Sequence, residues 1–314
     1  MKLRKLFFLT TAMVVIASVF ALGSCAKKSD GKIKVTLITM DSIDEHWLSV
    51  RAGAEAKAAE LGNVNLTFNA PQGKVDAAEQ LKMVEDAVTK KSDIIMLAPL
   101  NADALVPGVE KAHKAGIKVI FIDTSANTED YDAYYSTDNG AAARLAADEL
   151  GKLLNGKGKI AIINAQAGAA TTMLRENDFV DQIKTNFPGI TIVGTQYSDG
   201  DKTKALNIAT DFMTANPDLA GFYGCNEGST VGGANAVKQK GKSGVIKFVG
   251  FDWSEETKSL IKDGTLQATM RQNPYKMGYE GLQAGVDAFN GKPVERKVDT
   301  GVTVVTIDNV DSQQ

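Results

Sequence analysis

Two aspartates close matching stretches of this sequence: Asp123 ends Ile120-Phe-Ile-Asp and Asp252 ends Val249-Gly-Phe-Asp. Each follows a short β-branched and aromatic run that reads as a strand. Open α/β sheets hold their ligands just beyond the carboxyl ends of the strands, so carboxylates at these positions face such a crevice. An ionised carboxylate only accepts hydrogen bonds, through two oxygens, and this suits a hydroxyl-bearing partner. Other chemistries find less support. The chain has 2 histidines and 2 cysteines, Cys25 and Cys225, too few for a His-rich metal site or a disulfide framework. It has no Gly-x-Ser-x-Gly elbow, no Walker loop and no Gly-x-Gly-x-x-Gly opening a helix after a strand, and Gly228, Gly232 and Gly233 do not fit those spacings. No metal, cofactor or catalytic residue is expected.

The elements that must position these aspartates are legible in outline. With 314 residues, 44% hydrophobic and 23% charged, the chain describes a packed globular protein. From Ile33, β-branched runs alternate with amphipathic helical runs, which predicts an α/β fold with parallel sheets. Strands are expected over 33–40, 65–69, 93–98 and 118–122, with helices over 47–61, 75–90 and 102–115. A second series gives strands over 159–164, 190–197, 219–223 and 246–251, with helices over 171–186, 203–215 and 229–239. The two series match at an offset of about 125 to 129 residues, so two Rossmann-like lobes are implied, with a cleft where their strand ends face.

The N-terminal residues belong to targeting, not to the fold. A basic start (Lys2, Arg4, Lys5) precedes an apolar stretch over 6–22, and Leu22-Gly-Ser-Cys25 resembles a bacterial lipobox. Residues 1–24 therefore read as a signal peptide, Cys25 as the lipidated mature N-terminus, and 25–32 as a lipidated tether. Two or three acyl chains, at roughly 0.8 kcal/mol per buried methylene, hold a protein stably on a membrane surface. The formal net charge of −3 argues against nucleic acid as a partner.

Five segments in fixed order carry a more specific signal: Trp47-Leu-Ser-Val-Arg-Ala-Gly-Ala-Glu, Thr137-Asp-Asn139, Cys225-Asn-Glu-Gly, Val249-Gly-Phe-Asp252 and Ala268-Thr-Met-Arg-Gln272. Together they resemble the periplasmic sugar-binding proteins of ABC importers, most closely the ribose-binding type. That resemblance implies two discontinuous lobes, 33–137 plus 273–301 and 138–272 plus 302–314, joined by a three-stranded hinge. It makes Asp123 and Asp252 ligand carboxylates, Arg175 a guanidinium donor, Asn226 and Gln272 ligand amides, and Trp47 a stacking surface for a sugar ring.

This sequence departs from the family pattern at several places. His46 replaces the second stacking aromatic, Asp44 stands at an amide position, Thr124 replaces the arginine after the first aspartate, and Gly200 takes the place of the far-lobe aromatic. Trp253 could supply a compensating aromatic wall. Cys225, with no His or basic residue beside it in sequence, reads as an inert buried thiol. The resemblance implies an exported, monomeric solute-binding lipoprotein, anchored at a periplasmic or cell-surface membrane, that delivers a monosaccharide or polyol to a membrane permease. A sensory subunit serving a chemoreceptor or kinase is the alternative, and a glycoside-processing enzyme a weaker one. Pentose, hexose and inositol-like ligands all remain open.

Overall fold

Short runs of Ile, Val, Leu and Phe form two sheets whose faces are both covered. A computed structural model describes residues 31–72 and 76–313. The expected signal peptide and Cys25 lie outside the described residues, as does residue 75, where the second helix was expected to begin.

The first sheet contains β1 (Ile33–Ile38), β2 (Val64–Asn69), β3 (Ile94–Leu97), β4 (Lys118–Ile122), β5 (Ala133–Ser136) and β11 (Lys297–Asp299), in the order β11-β5-β4-β3-β1-β2 with every pair parallel. The second contains β6 (Lys157–Asn164), β7 (Gly189–Tyr197), β8 (Leu219–Gly224), β9 (Lys247–Phe251), β10 (Ala268–Gln272) and β12 (Val302–Thr306). Its order is β12-β10-β9-β8-β6-β7, with only the β10–β12 pair antiparallel. Both sheets reverse their winding next to the first strand of the series, between β1 and β3 and between β6 and β8. Ligand crevices form at such a switch point.

Alternation along the strands feeds a core on each face. Ile94 and Met96 join one cluster in the first sheet, and Ile95 and Leu97 join the other. The second sheet repeats this, with Ile163 and Phe248 on one side and Ile162 and Val249 on the other. The covering helices are α1 (Glu45–Leu61), α2 (Ala77–Thr89), α3 (Val106–Lys114) and α9 (Pro274–Phe289) for the first sheet, and α4 (Asn139–Leu153), α5 (Ala170–Asn186), α6 (Lys202–Ala215), α7 (Glu227–Gln239) and α8 (Glu255–Lys262) for the second.

The chain passes between the sheets after β5, after β10 and after β11. Two of these passages touch: the Asp138 N–H donates to Asp299 Oδ1 at 3.0 Å, and Thr137 Oγ1 donates to the Gly301 carbonyl at 3.4 Å. Helices α1 and α9 meet backbone to backbone. A Cβ added at Gly53 would stand 2.0 Å from the Tyr275 carbonyl oxygen, and one at Gly278 would stand 1.9 Å from that of Val50. The helix expected from residue 102 begins only at Val106, because Asn101 Oδ1 accepts from the N–H groups of Asp103 and Ala104 and holds a separate turn before Pro107.

Candidate functional site

A single cleft takes its walls from loops and helix starts of both sheets. From the first sheet, Asp41 Oδ1 accepts the N–H groups of Ile43 and Asp44 at 2.8 and 2.9 Å, which shapes the β1–α1 loop. Asp44 then caps α1 in an extended conformation, and His46 and Trp47 lie in the first helical turn, both buried, with their rings edge to face and centroids 4.7 Å apart. Asp123 follows β4.

The second sheet supplies Arg175 from the second turn of α5, Asn226 from the end of β8, Asp252 from the end of β9 and Gln272 from the last position of β10. Asp44, His46, Trp47, Asp123, Arg175, Asn226, Asp252 and Gln272, the residues singled out in the sequence, all line this cleft. Thr124 does not: it is fully buried and outside the lining. Trp253 lines an adjoining cavity under the Arg271 guanidinium, 5.7 Å from its ring centroid, and so adds no wall to the main cleft.

The side chains are held by the protein with one polar atom to spare. Arg175 Nε donates to Asn139 Oδ1 at 2.6 Å, Nη1 donates to the Cys225 carbonyl at 2.9 Å, and the guanidinium carbon stands 4.2 Å from the centroid of the Phe251 ring. Its Nη2 has no partner. Gln272 Nε2 donates to Asp252 Oδ1 at 2.6 Å and leaves Oε1 unpartnered, while Asp252 Oδ2 accepts the Glu227 N–H at 2.8 Å. Asn226 caps α7 by accepting the Ser229 N–H at Oδ1, 3.0 Å away. Arg175 is therefore a basic neighbour of Cys225 that sequence adjacency concealed, but burial still pushes the Cys225 thiol well above its ordinary pKa.

His46 stands between the two aspartates. Its Nε2 is 3.2 Å from Asp123 Oδ1 and its Nδ1 is 3.7 Å from Asp252 Oδ1. The closer contact is an ion pair out of line for a hydrogen bond, so Nε2 and Asp123 Oδ1 also count among the unpartnered buried atoms. Burial alone would lower the imidazole pKa, but the charges of Asp123 and Asp252 outweigh it and hold it raised. Conversely, burial would raise the Asp123 pKa, and the neighbouring imidazolium and Arg175 hold it below the ordinary carboxylate value.

Several lining residues escaped the sequence reading, Asp41 and Glu227 among the buried carboxylates. Glu227, the first residue of α7, is buried with Oε1 3.1 Å from Lys202 Nζ and with Oε2 unpartnered. The available signal was its place directly after Asn226, at the carboxyl end of β8. Among the described residues no cluster of His, Cys, Asp and Glu could hold a metal ion, and no helix is long and apolar enough to cross a membrane.

Comparison with known proteins agrees with this architecture. Residues 35–293 match a family model described as a periplasmic binding protein domain. The D-allose-binding periplasmic protein of Escherichia coli is 33% identical over 77% of this chain and 80% of its own length. A ribose import binding protein of Salmonella typhimurium is 27% identical over 97% of this chain and 99% of its own length. A solved ABC transporter solute-binding protein from Agrobacterium vitis with bound D-fucose superposes with a TM-score of 0.87 at 39% identity, covering 88% of this chain and 97% of that one. With a family model matching most of its length and a solved member superposing on it closely, the chain belongs to the periplasmic binding protein family.

Proposed function

We propose that the protein captures a small sugar or polyol between two lobes and hands it to the permease of an ABC importer. The observation that carries this reading is the set of buried polar atoms lining the cleft without hydrogen-bond partners: Arg175 Nη2 as donor, with Gln272 Oε1 and Glu227 Oε2 as acceptors. Buried polar atoms cost about 1–3 kcal/mol each when left unsatisfied, so a ligand that satisfies several at once is strongly favoured. Donors and acceptors interleaved beside the Trp47 ring fit a molecule with hydroxyls around its edge and an apolar C–H face.

The lobes of this reading are 33–137 plus 273–301 and 138–272 plus 302–314, and the adjoining passages between the sheets form the hinge. Asp44, His46, Trp47 and Asp123 belong to one lobe, and Arg175, Asn226, Asp252 and Gln272 to the other. Only the closed form presents all of them to one ligand, so binding selects closure. Cys25 carries the lipid that keeps the exported protein beside its permease and raises its effective concentration there. No step of this scheme breaks a bond in the ligand.

Calorimetric titration of the full chain in mild detergent against pentoses, hexoses, deoxysugars and polyols tests the reading. It calls for saturable binding of one sugar class with an increase in compactness by small-angle scattering. A folded protein that binds no member would overturn it.

A further inference from the structure

The loops that follow β3 and β6 meet across the cleft, away from the passages that join the two sheets. Those passages leave from one edge of each sheet, at β5 and β11 in the first and β10 in the second, and the two aspartates follow the next strands inward, β4 and β9. The β3–α3 and β6–α5 loops lie beyond them. Both carry lining residues, Leu100 on one side and Ala165, Gln166 and Ala169 on the other. Between these loops the Ala102 N–H donates to the Gly168 carbonyl at 3.2 Å. The contact is main chain on both sides, and neither residue belongs to the lining.

Each loop is fixed by its own side of the cleft. Asn101 Oδ1 holds the N–H groups of Asp103 and Ala104, the Ala102 carbonyl accepts the Asn127 N–H at 2.9 Å, and the Leu100 N–H donates to the buried Gln80 Oε1 at 2.8 Å. Opposite, Asn164 Oδ1 accepts the Ala165 N–H at 2.7 Å, and the Ala165 carbonyl accepts the Asp199 N–H at 2.7 Å. Two preformed surfaces therefore meet as units. Gly168 suits the junction for two separate reasons: its φ is 87°, in the left-handed region, and a Cβ there would stand 2.5 Å from Asn101 Nδ2. That amide cannot swing aside without releasing the two N–H groups on its oxygen, so a side chain at position 168 pushes the loops apart.

We infer that Ala102 and Gly168 form a latch that shuts the cleft on the side away from the hinge and sets how fast a bound ligand escapes. This inference rests on the two-lobed, sugar-binding reading and adds a separate device to it. The lining side chains hold the ligand, whereas the latch holds the lobes. A contact so placed must break before rotation about the passages can open the cleft, and one main-chain hydrogen bond is weak enough to break and reform.

Residue-resolved amide exchange by NMR, on the full chain in mild detergent and without sugar, tests the latch itself. The Ala102 amide should exchange roughly tenfold or more slowly than an unstructured amide, and Gly168→Asn should abolish that protection. Asparagine tolerates the left-handed backbone, so this variant keeps the loop and adds the Cβ. The Leu100 and Asn127 amides, whose acceptors lie on the first sheet's side of the cleft, should be unaffected. An unprotected Ala102 amide in the unaltered protein, a measurement that stands even where the variant folds poorly, would overturn the latch, as would undiminished protection in folded Gly168→Asn. D-allose, D-ribose, D-fucose and xylitol are the probes of release. Any that binds the unaltered protein should leave Gly168→Asn about fivefold or more faster, with little change in the rate of capture. Unchanged release would overturn control of escape by the latch. A latch that behaves as expected in a protein binding no pentose, hexose, deoxysugar or polyol would overturn the sugar-binding reading while upholding the latch.

Discussion

Asp123 and Asp252 are related by more than their place at strand ends: both adopt a left-handed backbone, with φ of 65° and 74°. The Asp123 N–H donates to the Tyr135 carbonyl at 2.8 Å, and the Asp252 N–H donates to the Met270 carbonyl at 3.0 Å. The carbonyl of each aspartate in turn accepts a side-chain hydroxyl from the neighbouring strand, Asp123 from Tyr134 at 3.0 Å and Asp252 from Thr269 at 2.8 Å. The two halves of the chain thus build the same support under each carboxylate, which turns it out of the strand and into the cleft.

That support separates binding from folding in mutants. Asparagine tolerates the left-handed region, so Asp123→Asn and Asp252→Asn should keep the fold and weaken ligand binding by roughly 10- to 100-fold, in line with about 1.5–3 kcal/mol for a charged hydrogen bond. Alanine adds backbone strain of about 1–2 kcal/mol, so the alanine variants should also melt lower than the asparagine ones. Titration calorimetry and thermal melts together check this, and unchanged affinity in both asparagine variants would remove these residues from the site.

The His46 imidazole gives the unliganded protein a pH dependence of definite sign. Its raised pKa makes a stabilising contribution that is complete below the ordinary value of 6.5 and is lost as pH rises through the folded value. Glu227 acts in the same direction at lower pH. Its pKa lies at about 7 instead of 4.5, so folding loses stability as pH rises from 4.5 towards 7. Melting temperature should therefore fall in two stages with rising pH. His46→Gln should flatten the upper stage and Glu227→Gln the lower, since His46 faces Asp123, Asp252 and Arg175 whereas Glu227 faces Asp44, Asp252 and Lys202.

Arg175→Lys should cost at least tenfold in affinity. Lysine cannot bond Asn139 and the Cys225 carbonyl, lie on Phe251 and still offer a planar donor to the ligand. Equal affinity in the lysine variant would place the guanidinium outside ligand contact.

Cys225 should resist thiol reagents in the native state even at mildly alkaline pH, because burial holds its pKa well up, and should react only on unfolding. Alkylation rates followed by mass spectrometry, with and without denaturant, check this directly. Rapid modification of the folded protein would contradict the assignment of an inert thiol.

The pattern of residues reached some of this architecture and not the rest. Strand β3 is a continuous apolar run and β4 and β9 are nearly so, as strands buried on both faces tend to be, and β4 and β9 led directly to Asp123 and Asp252. Strand β5 (AYYS) lacks the β-branched apolar run that marks β3 at the same length, and β11 has only 3 residues, too short for periodicity to register. Helix α9 carries Gly278, Gly281 and Gly285, residues that lower helix propensity and are needed there because the helix lies against α1 and the first sheet. Arg175 and Gln272 were legible only through resemblance, since nothing local distinguishes an arginine within a helix or a glutamine at a strand end. Glu227 was missed because an acidic residue in the first turn is ordinary helix chemistry, and its burial in the cleft beside Lys202 appears only in the folded chain.

The contact of Gly53 with Tyr275 and of Gly278 with Val50 also bears on how this site could be redesigned. Helix α1 presents Asp44, His46 and Trp47, and the close approach in its seat against α9 is made by main chain, although Trp47 also packs into the core of the first sheet. The mount can therefore stay in place when the reading head is changed, while changes at Trp47 and His46 alter stability together with recognition. A library that varies these three positions and leaves both glycines untouched would sample new ligand preferences on a fixed helix seat, with a melt beside each titration to separate the two effects.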